Sequence, residues 1–125
     1  MSRSIRCVVS VLVAGAVAAP LALPATSGAA TTCRLSLKTS RSMGPTYVTL
    51  LRRSGTSCAN AVRVTRAFHT CRLKHGKRGR CTTRVLGYSC SDRRPADESI
   101  PTQFTGYVTC RRSGVRITHS YQQDT

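Results

Sequence analysis

Acidic residues are nearly absent from this 125-residue chain: Asp92, Asp97, Glu98 and Asp124 are all there are, against 20 lysines and arginines. The formal charge of +16 disfavours cationic partners and points to anionic surroundings. Tryptophan is missing too, and four tyrosines with two phenylalanines make no evident platform for stacking bases. No serine carries a nucleophile motif and no cofactor fingerprint occurs, so the sequence names no catalytic residue, cofactor or metal. The run of apolar and small residues from Cys7 to Ala19 is shorter than the roughly 20 residues a membrane span needs.

What that run does resemble is an export leader. Arg3 and Arg6 precede it, Pro20 and Pro24 break it, and Ser27-Gly28-Ala29-Ala30 offers the small residues of a cleavage site. A signal peptide is therefore expected over residues 1–30, with a single secreted domain over 31–125. Cys7 leaves with the leader, since it stands at the start of the apolar run, where a lipoprotein cysteine would stand at its end. Six cysteines remain, an even set that in an exported chain reads as a disulfide framework. The remaining domain keeps 18 basic and four acidic residues, a charge of +14. So small a domain buries only about 60–65% of its unfolded surface, and self-repulsion erodes the margin. Three disulfides, at about 2–4 kcal/mol each, offset this.

The element order expected is β-β-α-β-β-β, an α+β domain with one helix on an antiparallel sheet. Cys33 to Thr39 alternates as a half-buried strand, with Leu35 and Leu37 inward, and Tyr47 to Leu51 is a second strand. Ser57 can cap a helix in which Cys58, Ala61, Val62, Thr65 and Phe68 recur on one face, ending near Cys71 or Arg72. A strand from Thr83 to Cys90 follows, then an exposed connection from Ser91 to Gln103. The clearest alternation is the last hairpin, Phe104 to Cys110 and Val115 to Tyr121 around Arg112-Ser113-Gly114. Leu50, Leu86, Val108 and Ile117 join the expected core. Tyr-Val-Thr precedes Arg-Arg-Ser-Gly twice, at Tyr47 and at Tyr107, which two strands entering similar turns explain.

Cys58 and Cys71 stand at opposite ends of the helix, about 20 Å apart, and cannot bond each other. A strand returning along the helix brings Cys81 to its end and Cys90 to its start. The expected pairs are thus Cys71–Cys81, Cys58–Cys90 and, by remainder, Cys33–Cys110. His69, Cys71, His75 and Cys81 could instead ligate zinc, but their spacing is not that of a finger or ribbon and export favours oxidation.

Three segments together resemble small secreted cysteine-containing proteins of actinobacteria and their relatives. They are Cys58-Ala59-Asn60-Ala61-Val62, Gly87-Tyr88-Ser89-Cys90, and Val108 to Val115 with its Cys110 and Gly114. The resemblance covers Ser57 to Tyr121, implies a small exported protein, and carries no functional residues with it.

The densest basic stretch runs from Arg72 to Arg84. Arg72, Lys74, Lys77, Arg78, Arg80 and Arg84 make it a flexible cationic loop able to follow an anionic polymer or surface: cell wall, anionic lipid or nucleic acid. The function expected is a monomeric, non-enzymatic binding or cell-envelope-associated protein that contacts polyanions. A secreted inhibitor or antimicrobial-type protein is an alternative. So is a small basic ribonuclease-like hydrolase with Glu98 and His119 as acid and base beside Arg111, Arg112 and Arg116.

Overall fold

The last hairpin is the spine of the fold in the computed structural model, which describes residues 28–125. The expected leader lies, but for its last three residues, outside the described residues. The elements are β1 (Thr31–Thr32), α1 (Leu37–Arg41), β2 (Tyr47–Ser54), α2 (Cys58–Leu73), β3 (Ser89–Arg93), β4 (Ser99–Ile100), β5 (Gln103–Arg112) and β6 (Val115–Asp124). A single 3₁₀ turn, Ala96–Glu98, precedes β4. All strand pairs are antiparallel, in the order β1-β2-β6-β5-β3, with β4 also on β5. The fold is α+β, one main helix on a six-stranded sheet with three disulfides. Among the described residues no helix is long and apolar enough to cross a membrane.

Helix α2 starts where its cap predicts: the Ser57 side chain accepts a hydrogen bond from the Asn60 amide. Its inner face buries Ala61, Val64, Thr65 and Phe68 against Val48, Leu51, Val108 and Ile117 of the sheet, while Val62 is only half-buried. Gly106 lies opposite Tyr121 in the β5–β6 ladder, and a Cβ there would fall 2.3 Å from the Tyr121 ring. The glycine thus makes room for the largest aromatic of the core.

Local chemistry overturns two expected strands. The extended segment stops at Ser36 and residues 37–39 are helical, because Ser36 caps the short α1 by accepting from the Thr39 amide, an alternative Ser offers wherever it precedes a helical turn. Leu37 is consequently 64% exposed instead of core. The strand expected at Thr83 begins only at Ser89, since Val85 and Tyr88 exchange both backbone hydrogen bonds around Leu86-Gly87. Both central residues have positive φ, 50° at Leu86 and 80° at Gly87, the primed turn that suits Asn-Gly. Leucine in that region costs roughly 1–2 kcal/mol. Leu86 and Leu50 are exposed, contrary to expectation. The connection expected from Ser91 instead contains the end of β3, the 3₁₀ turn and β4.

The disulfides join Cys33–Cys58, Cys71–Cys81 and Cys90–Cys110. The expected Cys71–Cys81 pair is present, closing the ten-residue step past the helix end. The expected Cys58–Cys90 and Cys33–Cys110 pairs are not formed, and strand order is the reason. Cys33 continues β1 along β2, its amide donating to Leu51, which leaves it beside the start of α2 and Cys58. Strands β2 and β6 then separate it from β5, three steps of about 4.8 Å each, too far for a bond to Cys110. Cys90 sits on the edge strand directly across from Cys110. Three such bonds belong to an oxidising compartment.

Candidate anion-binding site

The expected cationic loop is fastened down, and its first member lies inside the protein. Arg72 is fully buried at the end of α2. Its Nη1 donates to the Lys77 carbonyl at 2.8 Å, its Nη2 to Gln123 Oε1 at 2.6 Å and its Nε to His69 Nδ1 at 2.7 Å. Arg72 is therefore no surface contact, because Gln123 and His69 solvate it internally. Arg94, ion-paired to Asp92 at 2.6 Å, holds the carbonyls of Arg78 and Gly79. Arg78 in turn donates to Ile100 and Pro101, and Arg80 to Asp92, all through backbone carbonyls. Lys74, Lys77 and Arg84 are exposed. So the loop is a fastened buttress rather than a loose arm, with Arg78 and Arg80 exposed but tied to carbonyls and Lys74, Lys77 and Arg84 exposed beside them.

A second cationic surface is better built. At one end of the sheet Arg52, Arg53, Arg111, Arg112 and Arg116 line an open groove of about 610 Å³ with no acid in its walls. Register explains the convergence. Strand β6 lies between β2 and β5, with Arg52 opposite Thr118, Ser54 opposite Arg116, and Arg111 opposite Arg116 on the other side. Arg52, Arg111 and Arg116 share the face of the sheet turned away from α2, because strand residues alternate and Ile117 and His119 are buried under the helix. Arg53, opposite Ile117, and Arg112, over the Tyr88 ring, reach the rim from the other face. The two Arg-Arg-Ser-Gly segments, one ending β2 and the other turning from β5 into β6, thus meet at one tip. Ser54 and Ser113 add hydroxyls. Gly28 to Ala30 border the groove as well.

The acids lie elsewhere. Asp124 pairs with Gln103 at the far end of the hairpin, some nine residues from Arg112, a distance of about 30 Å. Asp97 and Glu98 occupy the 3₁₀ turn before β4, which also pairs at that far end. Asp92 is neutralised by Arg94.

The nuclease pair does not assemble. Glu98 accepts a 2.7 Å hydrogen bond from Tyr107 on the outer face of the sheet. His119 is 3% exposed on the inner face, its Nε2 3.0 Å from Nε2 of His69. The hydrogen bonds assign the tautomers. Arg72 donates to His69 Nδ1, so His69 carries its proton on Nε2 and gives it to His119 Nε2. The His119 proton then sits on Nδ1, which is buried without a partner. Burial, His119 and Arg72 push His69 well below its usual pKa, and burial followed by Arg72 brings His119 down to about 3. Tyr121 is pushed up to about 12 by burial and by Asp92. For the zinc alternative, Cys71 and Cys81 are bonded to each other, His69 faces the core and His75 is exposed, so the four do not converge. Among the described residues no three His, Cys, Asp or Glu side chains form a metal-holding group.

No protein-family model, curated protein or solved structure matches the chain. Of the candidate cations, Lys74, Lys77, Arg78, Arg80 and Arg84 lie on the surface but not in the arginine groove. Arg52 and Arg53 were missed as site residues. Their signal was the repeated Arg-Arg-Ser-Gly, whose meaning depends on both copies flanking β6.

Proposed function

We propose that this is a secreted, non-enzymatic protein that binds polyanions through the arginine groove at the tip of its sheet. The observation that carries the reading is the meeting of two Arg-Arg-Ser-Gly segments and Arg116 in one acid-free groove. Guanidinium groups make paired hydrogen bonds with phosphate and carboxylate oxygens, and Arg52, Arg111 and Arg116 side by side on one rigid scaffold suit a repeating anionic chain. Cell-wall polymers, anionic lipid headgroups and nucleic acids present such oxygens. Three disulfides hold the scaffold in the oxidising environment to which the leader would deliver it. Cleavage after Ala30 would remove Gly28 to Ala30 from the groove's border and bare the arginines further. The resemblance to small exported actinobacterial proteins fits this role without specifying the polymer.

The test is retention of the oxidised protein on immobilised heparin or polyphosphate. Binding should weaken steeply from about 50 to about 200 mM salt, as counterion release requires. Flow-through at the lower salt would overturn the reading.

A further inference from the structure

A second groove, of about 480 Å³, runs along the exposed side of α2 on the other face of the molecule. Arg63, Arg66 and Lys74 on the helix and Arg84 on the facing segment rim it, while Ala67 and Val85 lie along its floor. None of these cations contacts an acid; the one ion pair among the described residues is Arg94–Asp92. At the groove's end stands Leu86, 45% exposed at the first central position of its tight turn, with φ of 50°. Nothing in the protein's own packing calls for leucine there, and an asparagine would meet the backbone geometry better. The turn is braced from below: Arg112 Nη1 donates to the Leu86 carbonyl at 3.2 Å, and its guanidinium lies over the Tyr88 ring. Tyr88 is itself buried and takes a hydrogen bond from Asn60 of α2. A strained turn on a rigid base therefore holds an apolar side chain out to solvent among cations.

We infer that this face docks on an anionic phospholipid bilayer, with Leu86 entering the headgroup–acyl boundary. Arg63, Arg66, Lys74 and Arg84 meet lipid phosphates around it. Charge complementarity selects the occupant: a cationic rim without acids attracts a negatively charged surface, and a protruding leucine enters an apolar layer behind it. A soluble polyanion offers the first and lacks the second. The inference shares the basic character on which the proposed function rests but places it on a different surface with an apolar anchor.

The experiment is co-sedimentation of the oxidised full domain with vesicles of phosphatidylglycerol and phosphatidylcholine, beside vesicles of phosphatidylcholine alone. The expected result is binding to the anionic vesicles only. Replacing Leu86 (Leu86→Asn) should weaken it about tenfold, the order expected for losing one buried leucine. The same variant should melt at a higher temperature than the parent, since asparagine relieves the turn, and should bind heparin within about twofold of it. No binding to anionic vesicles, or equal binding by Leu86→Asn, overturns the inference. Heparin binding without vesicle binding sinks this inference alone, and vesicle binding without heparin binding sinks the arginine-groove reading alone.

Discussion

Gly55 and Gly114 touch across the tip of the sheet, so that a Cβ on Gly55 would fall 2.6 Å from the Gly114 carbonyl oxygen. Gly55 also has φ of +71°, a region open to glycine at little cost. The two basic turns can sit side by side only because Gly55 carries no side chain at that contact; a Cβ on Gly114 would meet open space. Gly55→Ala should therefore destabilise the fold by about 1–3 kcal/mol and spread the arginines. Urea denaturation would register the first effect, and elution from heparin at lower salt the second. A variant as stable as the parent would show that the turns are not in contact.

Acid should weaken the fold well before carboxylates titrate. Both buried imidazoles are neutral in the fold, His119 with its pKa at about 3 and His69 pushed down by burial, His119 and Arg72. Unfolded, each titrates near about 6.5. Below that pH the unfolded chain binds up to two protons that the fold refuses, so stability is complete above about 6.5 and falls with pH towards about 3. Between pH 7.5 and pH 5 the two groups together remove about 4 kcal/mol. Denaturation curves at the two pH values measure this, and coincident midpoints would contradict it.

The buried arginine should be structural alone. Arg72→Met would leave Gln123 and the Lys77 carbonyl without their partner and remove the donor that fixes the His69 tautomer. A loss of about 3 kcal/mol or more is expected, with an unchanged salt dependence of polyanion binding. A reduced slope in a folded variant would place Arg72 at the surface.

Disulfide mapping by proteolysis and mass spectrometry should recover Cys33–Cys58, Cys71–Cys81 and Cys90–Cys110. Replacing Cys90 and Cys110 together by alanine should cost about 2–4 kcal/mol while sparing the arginine groove. A peptide linking Cys58 to Cys90 would contradict the strand order.

Local signals in the sequence carried their structures. Ser57 caps α2, and the alternation from Phe104 to Tyr121 is the longest hairpin, because caps and alternation act within a few residues. Ser36 is ambiguous as a cap, because the alternation of Leu35 and Leu37 around it reads equally well as a strand. What depends on strand order was not legible. Strand β2 pairs with β6 across most of the domain, and that pairing alone decides that Cys33 meets Cys58 and that both Arg-Arg-Ser-Gly copies share a groove. Arg72 looked like its exposed neighbours in sequence, and only Gln123, 51 residues later, reveals it as a core residue.

The position of the anion-binding surface can be read from the salt dependence of heparin affinity in two variants. One replaces Arg52, Arg111 and Arg116 by glutamine; the other replaces Lys74, Lys77 and Arg84. The groove variant should lower the slope of log K against log salt by about 2–3, each lost phosphate-type contact removing a little under one unit. The loop variant should stay within about one unit of the parent. If the loop variant loses the slope and the groove variant keeps it, the arginine groove is not where this protein holds its polyanion.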